Sequence, residues 1–223
     1  MENIIIFICI LLIPCCAYSV ISYNYSKYKE LSLKGKLSGF EVARKILDEN
    51  DLKNMYIVEI KGNLNDHYDF NQKVIRLSTD VYHGENITSA VVASRICEYA
   101  IQDKENNKLF KIGATLNPLI KFDVYVAYIL FIVGLCLQDF GIVKVASLLI
   151  GLALMYRIAT LPVEFTIMKN AKKVLTELKV LDDKELGEGE ALFSVSVYAY
   201  IMEILTSVTS LFNEIIYNLQ RKG

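Results

Sequence analysis

Four apolar runs, at residues 4–21, 122–137, 142–161 and 191–217, punctuate an otherwise polar chain. Each approaches the ~20 residues that ~30 Å of hydrocarbon requires, so each predicts a transmembrane helix. The third carries Lys144 at its entry and Arg157 near its exit, and the last is interrupted by Glu203 before closing on Asn213 and Glu214. A polar domain fills 22–121 and a polar linker fills 162–190. Ser38, with Glu41 three residues later, is a capping-box pattern. Phe40, Val42, Ala43, Ile46 and Leu47 then recur near helical spacing and predict a helix ending at Asn50-Asp51. Met55 to Ile60 predicts a strand with its turn at Gly62-Asn63. Val74, Ile75 and Leu77 predict another, after a polar Asp66-His67-Tyr68-Asp69 loop. A second helix is predicted from Asn86 or Thr88 to about Lys104. The fold class that follows is α+β: a small α+β domain on a helical membrane bundle of about four transmembrane helices.

Composition supports this reading. Hydrophobic residues make up 53% of the 223 positions, above the roughly 45–50% usual in soluble domains even with Gly counted. A net charge of -1 gives no pull toward nucleic acid, and no basic patch with interleaved aromatics is present. Lysines at 27, 29, 34 and 36, at 108, 111 and 121, and at 169, 172 and 173 flank the apolar runs. By the positive-inside bias they place the polar domain in the cytoplasm, with only Arg221 and Lys222 opposing. Cysteines fall at 9, 15, 16, 97 and 136, four of them in apolar runs, which argues against a disulfide framework. No Lys or Arg precedes the first run, so its removal as a secretory signal is not expected. The Asn86-Ile87-Thr88 sequon then lies on the cytoplasmic side and reads as chance.

Four segments, in order, resemble those of one known family. Leu37-Ser38-Gly39-Phe40-Glu41-Val42-Ala43-Arg44-Lys45-Ile46-Leu47 resembles that family's opening helix. Leu64-Asn65-Asp66-His67-Tyr68-Asp69 looks like its Asp-His-Tyr-Asp loop, with Phe70 where a proline is usual. Ile75-Arg76-Leu77-Ser78 and Val81-Tyr82-His83 continue the match, and Thr160-Leu161-Pro162-Val163-Glu164-Phe165 resembles the segment closing a membrane helix. The family so resembled is that of the bacterial membrane-bound neutral zinc metallopeptidases, and the resemblance implies a bacterial inner (plasma) membrane protein and a peptidase fold.

It also implies a zinc helix reading His-Glu-Ala-Gly-His followed by Ala-Ile-Gln. Such a helix sets two imidazoles one turn apart to bind zinc, and its Glu polarises the metal-bound water. Ala100-Ile101-Gln102 stands in place here, but the positions before it read Arg95-Ile96-Cys97-Glu98-Tyr99. Arg95 and Tyr99 occupy the histidine positions and Ile96 that of the general base, so no catalytic residue is intact. Glu164 matches the family's third ligand, and Thr166 stands where an acid or amide follows it. A zinc-less Glu164 needs a partner if buried, and Arg95 offers both charge and a bidentate donor. Arg157, two turns before Glu164, is a rival.

Cys97 is offset from the ligand face, whereas Glu98 lies close to it. His67, Asp69 and Glu98 are candidate binding residues, although acids in a turn equally well close it on the backbone. No metal cofactor is expected. Catalytic zinc normally needs three protein ligands, and if one is held, Glu164, Glu98 and His67 are the available set. Membrane-buried Glu203 marks a polar contact or a water-facing helix edge.

Two functions follow. The first is an inactive pseudopeptidase that binds a membrane protein or peptide through its old groove or its membrane helices. The second is an active, divergent zinc peptidase with replacement ligands. A channel or transporter subunit draws only on Arg157 and Glu203.

Overall fold

A computed structural model describes residues 31–194 except 63, 64, 138, 188 and 191, and isolated positions on either side (Ser19, Tyr23, Lys27, Tyr198, Ile201, Ile204 and Leu205). The fold is helix-rich α+β with one small sheet. Helix α1 (Gly39–Glu49) starts at the Ser38 capping box: the Ser38 side chain accepts from the Glu41 amide, and the Glu41 carboxylate takes the Ser38 amide. These two bonds satisfy donors that a helix start otherwise leaves orphaned. Strands β1 (Tyr56–Ile60), β2 (His67–Asp69) and β3 (Val74–Ser78) follow. Their sheet order is β1-β3-β2, with β1 parallel to β3 and β2 antiparallel to it.

Next come α2 (Thr79–His83), α3 (Ile87–Lys104), α4 (Lys108–Leu137) and α5 (Phe140–Glu177). Helix α3 is capped by Asn86, whose side-chain oxygen takes the Ser89 amide at 2.9 Å. Val42, Ala43, Ile46 and Leu47 of α1 pack with Ile75 and Leu77 of β3 and with Ala93, Cys97 and Ala100 of α3. The spacing of three and four residues on α1 and α3 aligns these side chains along one stripe of each helix.

One expectation is corrected, and two others gain detail. The Asp66-His67-Tyr68-Asp69 segment is not only a loop: His67, Tyr68 and Asp69 pair with Arg76, Ile75 and Val74. The stretch is too short to display a period of two. The linker at 162–190 is helical as far as Glu177, because α5 runs through Pro162. A proline interrupts one turn of backbone bonding without ending a helix whose flanking residues continue it. Leu192 and Phe193, at the start of the expected last span, are 7% and 2% exposed in the α+β core.

The chain divides into two compact units. One is Val20–Ile112 with Val163–Val197, which holds the sheet, α1 to α3 and the polar half of α5. Ala171, Leu175, Val180 and Leu181 belong to its core. The other is Met1–Ser19, Gly113–Pro162 and Tyr198–Gly223. Its described core is Ala127, Phe131, Val143, Ala146 and Ile150. Among the described residues one helix, Gly141–Glu177, is long and apolar enough to cross a membrane, and Tyr125–Gly134 is a shorter apolar helix. The spans expected at 4–21 and at most of 191–217, Glu203 included, lie outside the described residues.

Candidate functional site

Arg95, Glu98, Tyr99 and Gln102 recur at helical spacing along α3 and share one side of it. Glu164, on the part of α5 that belongs to the same unit, is 7% exposed. The Tyr99 hydroxyl donates to it in a shared fashion, 2.8 Å from Oε1 and 2.9 Å from Oε2. Arg95 Nη2 stands 3.8 Å from Glu164 Oε2, an ion pair beyond hydrogen-bond reach. A buried carboxylate therefore has a neutral donor in contact and a cation just behind it. This is the arrangement that offsets the cost of burying its charge.

Tyr99 is the residue the sequence reading undervalued. Its place one turn from Arg95 was visible, but only its loss as a ligand was weighed. Arg157 is half-buried on α5, and its part of the helix lies in the other unit.

The remaining positions divide cleanly. Ile96 is 6% exposed and lies in the apolar core, so the general-base position carries no titratable group. Cys97 is fully buried, its thiol 3.7 Å from the Ala43 carbonyl, and burial pushes its pKa far up. A thiol held protonated is a poor metal ligand. Glu98 is 4% exposed, and among the described residues its Oε2 has no hydrogen-bond partner. Burial raises its pKa to about 7, with an opposing hydrogen bond from Asn170 and a further push from the Glu105 charge.

The Asp-His-Tyr-Asp segment is built into the sheet. Asp66 accepts from the Ser78 amide at 2.7 Å and from the Ser78 hydroxyl. Asp69 accepts from the amides of Asn71 and Gln72 and pairs with Arg76 at 3.3 Å. The Gln72 amide chiefly holds its carboxyl below the usual range. The exposed His67 ring donates from Nδ1 to the Asn65 carbonyl at 2.6 Å. Tyr68 donates to Asp103 at 2.6 Å, and burial followed by that acceptor pushes its phenol pKa far up. Asp103, which the sequence reading missed, also pairs with Lys73.

These residues do not fit a zinc ion. The Tyr99 hydroxyl already donates to Glu164, and the Arg95 guanidinium beside it repels a dication. Among the described residues no three His, Cys, Asp or Glu side chains gather as a metal-holding group, so Glu164, Glu98 and His67 do not form the replacement set. The physical reason is plain for His67, which is exposed and bonded to its own turn.

A family model described as "Putative neutral zinc metallopeptidase" matches residues 3–218. The curated "Putative membrane protease YugP" of Bacillus subtilis (strain 168) is 30% identical over 188 residues, 84% of each chain. No solved structure matches the chain.

Proposed function

Because the chain belongs to the neutral zinc metallopeptidase family, we propose that it keeps the family fold without the hydrolytic chemistry and acts by binding a membrane protein or peptide. The observation that carries this reading is the state of Glu164. Its carboxylate is engaged by Tyr99 and faced by Arg95, the residues standing at the two histidine positions. Function resides in the site and not in the fold, so the loss of the ligand pattern outweighs family membership.

The setting is an integral protein of the bacterial inner membrane, with about four spans and the α+β unit on the cytoplasmic side. The relative's description as a membrane protease, the long apolar helix Gly141–Glu177 and the lysines flanking the apolar runs support it. A divergent zinc peptidase is the second reading, favoured by the relative's name as a protease.

Zinc analysis of the full chain, purified in detergent without chelators, separates the two readings. The native protein is expected to hold well under one zinc per chain. The triple variant Arg95→His, Ile96→Glu, Tyr99→His restores the ligand pattern and is expected to approach one, since Glu164 remains to complete three ligands. Stoichiometric zinc in the native chain, with peptidase activity that a chelator abolishes, overturns the proposal.

A further inference from the structure

The half-buried Tyr99 ring on α3 is met by this chain's own aromatic rings. The Tyr99 ring centroid lies 5.9 Å from that of Phe110, which is 6% exposed at the start of α4. Phe110 meets Phe70 edge-on at 6.1 Å. Phe70 sits in the turn joining β2 to β3, so three rings run in series from that hairpin to the hydroxyl that holds Glu164. Offset and edge-on pairs at such separations are attractive because the ring edge is positive and its face negative.

A second contact fastens the same turn. Lys73 adopts a left-handed backbone (φ 55°) in this turn. Its ammonium lies 3.9 Å above the Phe70 ring and pairs with Asp103 of α3. The Asp103 side chain is 7% exposed and also accepts from Tyr68 of β2. A buried carboxylate held by one hydroxyl and one ammonium makes Lys73 costly to withdraw.

We infer that Phe70, Phe110 and Tyr99 form an internal plug over the former zinc face of α3, with Lys73 on Asp103 as its latch. This rests on the reading of α3 as the family's ligand helix. In this closed state the hairpin is an autoinhibitory strap. A peptide reaches Tyr99 and Glu164 only once the strap has lifted, so a partner of the closed protein docks on another face.

Hydrogen–deuterium exchange on the full chain in detergent tests the plug. Lys73→Met keeps the side chain's length and its β-carbon but removes the latch. It is expected to speed amide exchange across the 67–76 hairpin at least tenfold, with the α1 amides still protected. Lys73→Arg restores the charge and is expected to return the native rate. Should Lys73→Met fail to fold, Phe70→Leu serves in its place: it keeps apolar volume while losing the ring, and is expected to loosen the same hairpin by severalfold.

Native exchange rates in every folded variant overturn the plug. Zinc content is measured on the same preparations. A hairpin that stays rigid in the zinc-free variants then overturns only the plug, whereas zinc in a native chain whose variants loosen the hairpin overturns only the inactive-peptidase reading.

Discussion

Two acids on facing helices of one unit, Glu98 and Glu164, are buried to a similar degree but differently supplied with partners. Glu98 has an orphaned Oε2 and a pKa pushed up to about 7, first by burial. Its folded pKa lies above the ordinary 4.5 of a glutamate, so the folded state binds more protons between those values. Stability is therefore lost as pH rises through that window and levels off above it. The gap corresponds to about 3 kcal/mol. Glu98→Gln is predicted to be the more stable form at pH 8, to match the native chain at low pH, and to flatten the profile between them. Thermal melts in detergent across that range check it, and an unchanged slope in the variant would clear Glu98 of responsibility.

Glu164 is the opposite case, since its burial is answered by a hydroxyl. Tyr99→Phe leaves the ring against Phe110 but strips the donor, at a predicted cost of about 1–3 kcal/mol for a bond to a charged acceptor. Denaturant midpoints measure this loss, and a neutral variant would mean that Arg95 alone suffices. Helical spacing made it legible in the sequence that Arg95 and Tyr99 lie on one face. Which of them reaches Glu164 was not legible, because reach depends on side-chain length and on the path of α5.

Helix α1 shows what local chemistry decides and where packing takes over. Its capping box and apolar stripe were readable in Ser38, Glu41, Val42, Ala43, Ile46 and Leu47, and the structure repeats both. Ser38→Ala is predicted to cost about 1 kcal/mol. Gly39→Ala is the sharper experiment. In a helix this change ordinarily stabilises by up to ~1 kcal/mol, yet a β-carbon at Gly39 would stand 2.1 Å from the Val81 carbonyl oxygen. The contact is with backbone, so the sign is predicted to reverse, to a loss of about 1–3 kcal/mol. A gain in thermal midpoint would mean that α1 can shift away from α2.

The elements that escaped the sequence are those without a period to display. Strand β2 has three residues and α2 has five. Helix α5 passes through Pro162, where local propensity argues for a stop and the surrounding tertiary structure carries the helix onward.

For the whole molecule, the division into polar and apolar runs was legible, but the membership of the runs was not. Residues 163–190 look like a charged linker, yet Ile167, Ala171 and Leu175 recur every four positions and are fully buried. Lysines between them hide the stripe from any averaged hydropathy. The apolar part of α5 behaves in the opposite way. Val145, Leu148, Leu152, Met155 and Ile158 are each more than half exposed in the isolated chain. Fully burying such a side chain is worth roughly 1.5–3 kcal/mol, a gain that this row does not receive in the isolated chain.

In the proposed membrane setting, lipid covers this row. The full chain is therefore predicted to remain with the membrane pellet through an alkaline carbonate wash. Leu148→Arg, inside the apolar part of α5, is predicted to weaken insertion by about 2.5–3.5 kcal/mol if it lies at mid-bilayer depth. Tyr56→Arg, on the exposed β1 position outside that helix, should leave the partition unchanged. Release of the native chain by the wash, or equal behaviour of the two arginine variants, would mean that the exposed row on α5 meets protein and not lipid.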